Sequence, residues 1–360
     1  MKKIRNRDQV LINMDIIGCG EFVTALSTIY EVDMKAGKLK ESILKRSILK
    51  QLHTRSEDVI ASSSVGGDYG AIGVTEDVAV VLSSDPITLT KDAIGSSAIM
   101  AACNDVACSG ARPKAVSVTM LLPTDFNEEE LKNLMKDLDA ACEACKVDII
   151  NGHTEVTRVV KEPVVVVTAM GTILKKELRH SRDVRPGMDI VATKWVGLEG
   201  TAILAKEKEA ELRSRYAQPF IDKAQKFGQW MSILPEAEVA VKSGASAMHD
   251  VSEGGIFGAL WELAESAGVG LEIDLKKIPI RQETIEICEF LDVNPYKLLS
   301  GGSLLIATED GNGLVMELEK ADIPAIIIGK ATESNDRVLI NEDERRFLET
   351  AQTDELYSIK

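Results

Sequence analysis

The chain reads as an α/β (α+β) protein of two domains, and three observations predict that class. Its 360 residues suit two domains at roughly 100–200 residues each. Strand-like and helix-like patterns alternate in both halves, which excludes an all-α or all-β layer architecture. The composition shifts after Gly171, where the charged stretch KKELRHSRDVRPG ends in Pro186-Gly187, a sequence suited to a connection between domains.

The elements follow in order. Leu39, Ile43, Leu44, Ile48 and Leu49 recur near 3.6 spacing, so 38–52 reads as a helix. SSSVGGDYGAIG at 62–73 reads as a flexible glycine-serine loop. Val78 to Leu82 is a buried-strand run ending in Ser83-Ser84-Asp85. Residues 92–109 are small and alanine-rich and read as a helix, stopped by Gly110 and barred from resuming by Pro113. Small side chains let another backbone approach closely, so this helix is expected to be central. Residues 115–122 read as a strand. Asn127 suits an N-cap, with Glu128, Glu129 and Glu130 at the positive end of a helix that reaches Cys145. Strands are expected at 147–150 and 163–170, with NGHTEV in the loop between them. The second half predicts strands at 190–195, 271–274 and 303–308. Its helices fall near 200–216, 235–243, 255–267 and 283–291, and a final helix and strand close near Gly329. The expected division is an extension at 1–34, domains at 35–174 and 175–345, and a tail at 346–360.

Charge and composition exclude several classes. Lys plus Arg is 42 and Asp plus Glu is 57, a net charge of −15. A general phosphate-backbone binder needs net or patchy positive charge, so no nucleic-acid partner is expected. No run of about 18 apolar residues exists, so no membrane span is expected. Asp15 and Glu21 interrupt the only signal-like stretch, which leaves a cytoplasmic protein as the expectation. Six cysteines in 360 residues show no disulfide-framework density.

Four acids stand where a chain has little structural reason to spend one. Asp68 lies in Gly66-Gly67-Asp68-Tyr69-Gly70, Asp85 ends a buried strand, and Asp105 follows Asn104 inside the small-residue helix. Asp250 follows His249 and precedes Ser252-Glu253-Gly254-Gly255 at the expected start of a helix. Buried carboxylates are costly unless paired or metal-bound. A set of them without arginine suits Mg²⁺, which takes carboxylate and phosphate oxygens. The glycines would let backbone N–H groups and a helix N-terminus approach phosphate. Plainer readings exist for each: a turn at Asp68, a cap at Asp85, an N-cap at Asp250. Asp105 has no bland surface explanation. The glycine loop lacks a GK[ST] ending, so a P-loop is disfavoured.

Cys142-x-x-Cys145 resembles a redox or zinc pair. However, Leu131, Leu134, Leu138, Ala141, Cys142 and Cys145 share one helical face, and no second pair completes a zinc set. Core cysteines are therefore expected. His153, in Asn151-Gly152-His153-Thr154-Glu155, is placed in a loop where it either touches a ligand or bonds backbone.

Taken in order, GGDYGAIG, VVLSSD, ACNDVACSGARPKAVSV, NGHTEV, TKWVGLEGTAILA and HDVSEGGIFGALWELAESAGVGLEID resemble the aminoimidazole ribonucleotide synthetase-like superfamily. The resemblance runs over about 35–340 and is nearest to its hydrogenase-maturation branch, with thiamine-monophosphate kinase and selenophosphate synthetase as relatives. Each motif is weak alone, and the ordered set is specific. The resemblance implies an N-terminal domain that gives strands to a β-barrel shared across a homodimer, with an α/β layered C-terminal domain beside it. It implies ATP and Mg²⁺ in the cleft between the domains. Asp68, Asp85 and Asp105 would hold metal, while Gly66, Gly67, Asp68, Asn104, Thr154, Gly254 and Gly255 would contact the cofactor. Asp105, Asp250 and His153 would take catalytic roles. The implied chemistry is phosphorylation of an oxygen on a small substrate, and the implied partners are a second copy and a maturation protein.

Three departures qualify that expectation. Tyr69 stands where many relatives carry an acid, and His153 where relatives carry Asp or Glu. The dehydratase of the hydrogenase-maturation branch uses a C-terminal cysteine, whereas this sequence reads Glu355-Leu356-Tyr357-Ser358-Ile359-Lys360 with its last cysteine at Cys288. Three readings stay open: a maturation-type ATP-dependent enzyme, a small-molecule kinase, and a nucleotide-binding scaffold without turnover.

Overall fold

A computed structural model describes residues 36–53, 56–90, 93–350 and 353–359. The expected extension at 1–34, with Cys19, lies outside the described residues.

The first sheet has strands β1 (Val59–Ala61), β2 (Gly70–Gly73), β3 (Val78–Ile87), β4 (Arg112–Leu122), β5 (Asp148–Val156) and β6 (Val164–Leu174) in the order β1-β2-β3-β6-β4-β5. Helices α1 (Ile94–Cys108) and α2 (Glu128–Cys145) lie on one face. Alternation along the strands sets that face: Ala79 and Val81 of β3, Val116 and Val118 of β4, and Val165 and Val167 of β6 join Ala98, Ala102 and Leu138 in one core. The alanines and glycine of α1 allow this close packing. The α2 start is a capping box, in which Asn127 Oδ1 accepts from the N–H groups of Glu129 (2.9 Å) and Glu130 (3.0 Å) while Glu130 accepts from Asn127 N–H. Cys142 and Cys145 are buried in the core, as their helical face predicts.

Several expectations fail in this domain, and Gly70–Gly73, expected within a flexible loop, is strand β2. β3 does not stop at Leu82 but runs to Ile87, because Ser83 to Ile87 keep pairing with β6. On its other side β3 pairs β2 only from Ala79 to Leu82. The last five residues therefore form an open edge, where a proline and an acid are tolerated. The NGHTEV stretch is strand rather than loop: His153 pairs Thr119 and Thr154 pairs Met120 across the parallel β4–β5 ladder.

The second sheet runs β13-β12-β9-β11-β7-β10-β8. Its strands are β7 (Asp189–Thr193), β8 (Ala247–Val251), β9 (Gly270–Asp274), β10 (Ser303–Thr308), β11 (Ala325–Thr332), β12 (Arg337–Asn341) and β13 (Glu344–Phe347). The helices of this half are α3 (Leu198–Glu207), α4 (Gln218–Gln225), α5 (Leu234–Lys242), α6 (Gly255–Ala267), α7 (Gln282–Leu291) and α8 (Gly311–Lys320). Ile190, Ala192, Leu305 and Ala307 point to α6, while Val191, Leu304 and Ile306 point to α5 and α8. Both faces are covered, so these strands read as continuous apolar runs.

The expected helix at 38–52 is instead a succession of short helical turns with only Ile43 buried. Asp250 was expected at a helix start and lies on β8, whose five residues are all buried. The strand is the stable choice because Ala247 and Val251 fill the α6 core and Met248 fills the opposite one. Met248 also packs with Ala107 and Cys108 at the end of α1, which brings Asp105 of one half beside Asp250 of the other. Among the described residues no helix is long and apolar enough to cross a membrane.

Candidate functional site

A cavity of about 560 Å³ opens between the two halves, and Gly67, Asp68, Asp85, Asp105 and Asp250 line it. Each acid arrives on a different element. Asp68 comes from the glycine loop before β2, Asp85 from the open edge of β3, Asp105 from the last turns of α1 and Asp250 from β8. Ser83 donates its hydroxyl to this set, lying 2.7 Å from Asp105 Oδ2 and 3.0 Å from Asp85 Oδ2.

The positive charge in this cluster comes from one relay. His249 Nδ1 is 2.6 Å from Asp68 Oδ1, and its Nε2 is 3.3 Å from Glu262 Oε2. Lys38 Nζ in turn is 2.6 Å from Glu262 Oε1. Burial opposes a charged imidazole, but Asp68 and Glu262 outweigh it and hold His249 up at about 10. Burial also works against an ionised Glu262, yet Lys38 and His249 pull it down to about 2.

Asp105 lacks such support, and at Asp250 the charges of His249 and Lys38 are outweighed. Burial, then the charges of Asp250, Asp85 and Asp68, pushes Asp105 well above the carboxylate range. Burial, then Asp68, raises Asp250 to about 7. Asp68 Oδ2 is buried with no hydrogen-bond partner.

This donor set fits a hard divalent cation. An orphaned carboxylate oxygen and two acids raised by burial and mutual repulsion are what such an ion relieves. Ligand atoms of Asp68, His249 and Asp250 lie within 4.8 Å of one another. Both His249 nitrogens face carboxylates, however, so the imidazole serves as a counter-charge and the oxygens remain as ligands.

Several expected cofactor contacts are used otherwise. Asn104 is 2% exposed and joins the two halves: its Nδ2 donates to Met231 O at 2.9 Å, and its Oδ1 accepts from Ile233 N–H at 3.0 Å. Gly66 has a positive φ of 65°, and a Cβ there would lie 2.3 Å from Glu262 O. Gly254 N–H is taken by Asp354 Oδ2 at 2.7 Å, from the chain's own tail. A Cβ on Gly255 would meet Tyr296 O at 2.5 Å. These glycines answer to packing, and the start of α6 is occupied by a carboxylate already present. His153 and Thr154 lie on the exposed edge strand β5 and do not reach this cavity within one chain. The Tyr69 hydroxyl is spent on Arg179 O and sits 2.9 Å from His180 Nδ1.

Sequence reading missed Ser83, Glu262, Lys38, Glu199 and the tail. Glu199 and Tyr357 line the cavity, and Leu356 is fully buried beside Ile203, Ile287 and Leu298. His249 and Ser83 sit inside motifs already noted, HDV and LSSD, where a polar residue beside an acid was a usable signal. Glu262 and Asp354 had none, because their partners are distant in sequence.

Comparison with known proteins agrees with this architecture. Residues 66–173 match the AIR synthase related protein N-terminal domain, and residues 185–341 match the corresponding C-terminal domain. A Methanocaldococcus jannaschii protein whose name assigns it to hydrogenase expression and formation is 27% identical over 324 residues, 84% of this chain and 91% of that one. The carbamoyl dehydratase HypE of Cupriavidus necator is 25% identical over 259 residues, 69% of this chain and 72% of its own. Among solved structures, a HypE–HypF complex gives a TM-score of 0.68 at 20% identity, covering 79% of this chain and 94% of that one. The hydrogenase maturation protein HypE in complex with ATP gives 0.67 at 19% identity, covering 90% and 98%. AaThiL complexed with AMPPCP and TMP gives 0.66 at 20% identity, covering 87% and 96%. At those identities the structures attest the fold, a two-domain α/β arrangement. The two matched domains, in this order and around this cleft, make the chain a member of the AIR synthase related family.

Proposed function

We propose that this chain is an ATP- and Mg²⁺-dependent enzyme of the hydrogenase-maturation type that phosphorylates an oxygen of a small substrate. One observation carries the reading: Asp68, Asp85, Asp105 and Asp250 converge on a single cavity, with a buried unpartnered oxygen on Asp68. Similar folds named as complexes with ATP and with AMPPCP support a nucleotide there. When bound, Mg²⁺ would offset phosphate charge and polarise the terminal phosphoryl group. Asp68, Asp85, Asp105 and Asp250 would hold it. His249, fixed by Glu262, would orient Asp68, and Ser83 would tie Asp85 to Asp105. Gly67 lines the same cavity wall, where a backbone N–H would suit phosphate.

Phosphoryl transfer is the proposed step. Asp354 and Leu356 pin residues 353–359 to the body of the protein. Cys288 is fully buried in α7, and burial pushes its thiol up to about 12. The domain division is kept near residue 175, since the first sheet ends at Leu174 and the second starts at Asp189.

A homodimer belongs to the same reading. Ile72, Leu82 and Leu174 are exposed on the sheet face away from α1 and α2, and Ile150 and Val156 are exposed on β5. A second copy would cover them, and light scattering near 39 kDa would reject it. The HypE–HypF complex among similar folds supports a maturation-protein partner. Such an enzyme would work in the cytoplasm, where ATP is supplied.

Thermal unfolding with ATP and Mg²⁺ tests the core claim. At a ligand concentration about 100-fold above Kd, binding adds about 2.7 kcal/mol and raises the midpoint by several degrees. The native chain should show this shift and Asp105→Asn should lose it. No shift in the native chain would leave a fold-preserving scaffold as the better reading.

A further inference from the structure

Two glutamates, Glu199 and Glu253, line the cavity besides the four aspartates. Glu199, in the first turn of α3, is 8% exposed and lines the cavity wall. It accepts hydrogen bonds from the Ser97 hydroxyl and the Gly301 N–H. Ser97 lies two helical turns before Asp105 on α1, about 12 Å along the axis, with Ala101 between them on the same wall. The cavity wall thus includes Ala101 and Asp105 of α1 together with Glu199.

Among the described residues no basic group is paired with this carboxylate. The charged groups facing it are Asp250 on β8 and Asp354 on the tail, both acids. Asp354 is itself engaged by the N–H groups of Gly254, Leu356 and Leu299. A carboxylate offers about four lone-pair positions, and two bonds leave capacity on the cavity side. The chain also keeps space for it: a Cβ on Gly301 would lie 2.3 Å from Glu199 Oε2.

We propose that Glu199 accepts the proton of the oxygen nucleophile that attacks the terminal phosphate of ATP. This rests on the ATP-dependent reading above. The nucleophile oxygen bonds to the terminal phosphorus, and the bond from that phosphorus to the bridging oxygen breaks. ADP leaves with that electron pair, and the nucleophile's proton passes to a Glu199 oxygen. The other acids lining the cavity are committed elsewhere: Asp68, Asp85, Asp105 and Asp250 to the cation, and Glu253 to the Lys38 N–H at 2.7 Å. Burial raises Glu199 to about 7, which suits a base that must both take and release a proton near neutral pH.

Water serves as the test nucleophile, so no acceptor need be known. ADP release from MgATP is measured for the native chain, Glu199→Gln and Gly301→Ala, beside the thermal shift given by MgATP. Gln keeps the shape and the contacts to Ser97 and Gly301 but cannot take the proton. The expected result is an unchanged MgATP shift with ADP release lowered about 100-fold or more. The native rate should rise with pH through a limb near 7, and that limb should vanish in Glu199→Gln. Gly301→Ala, which displaces the carboxylate, should lower the rate while MgATP still binds. Native-like release or an unchanged limb in Glu199→Gln overturns the proposal, as does a native chain that binds MgATP and releases no ADP. A native chain without any MgATP shift overturns the ATP reading itself.

Discussion

Glu236 and Asp105 are both buried carboxylates, and their surroundings differ in kind. Glu236 on α5 meets Lys194 Nζ at 2.6 Å, and that ammonium also donates to Trp230 O at 2.9 Å and Ser232 O at 2.6 Å. One negative charge faces one positive charge, with Glu236 Oε2 left without a hydrogen-bond partner. Asp105 meets a serine and three more acids, with His249 and Lys38 serving Asp68 and Glu262 instead. The first arrangement holds a fold together. The second sets like charges against one another, the repulsion that the proposed cation would relieve.

The comparison can be broken by mutation. The largest effect is expected at the closed pair: Glu236→Ala strands a buried ammonium and should cost about 3–5 kcal/mol in urea unfolding. A cost under about 1 kcal/mol would mean that the pair is not desolvated. Next is the open cluster. Asp250 has a folded-state value near 7, above its unfolded value near 3.8. Its contribution is therefore present below the unfolded value and lost as pH rises through 7. Ligand-free stability should fall by about 1–3 kcal/mol between pH 5 and pH 8. Asp250→Asn or saturating Mg²⁺ should flatten that fall; a fall unaffected by either places the titrating group elsewhere. Smaller again is the tail: Asp354→Ala removes an N-terminal acceptor from α6 and should cost about 1 kcal/mol. Chemical denaturation that leaves Asp354→Ala as stable as the native chain would free the tail from that role. Smallest is the exposed Glu128–Lys132 pair on α2, where Lys132→Ala should change stability by less than about 0.5 kcal/mol. A larger change there would weaken the ranking by environment.

Much of the fold was legible because its signals are local. The α2 cap needs only Asn127 and Glu130, and the strands of the second sheet announce themselves as apolar runs. Asp105 was legible because an acid among alanines and cysteines has no exposed face to occupy. What escaped depends on distant partners. Asn104 looks like a site residue until residues 231 and 233 are seen to claim both ends of its amide. Gly254 looks like a phosphate contact until Asp354, 100 residues away, is seen to occupy its N–H. The NGHTEV stretch looks like a loop because Gly152 and Asn151 are turn formers, and only the register with β4 makes it strand. Asp250 was recognised as an acid worth noting and misplaced as to element, since its strand is short and directly precedes the glycines.

The mismatch between β2, four residues long, and β3, ten residues long, has a consequence of its own. Where β2 has ended, β3 carries Ser83 and Asp85 with backbone anchored on β6 and one flank left free. Side chains there are held as firmly as in a sheet interior, yet answer to no neighbouring strand. That stretch works as a fixed shelf: the donors set on it can be exchanged for other chemistry while the sheet beneath stays as it is.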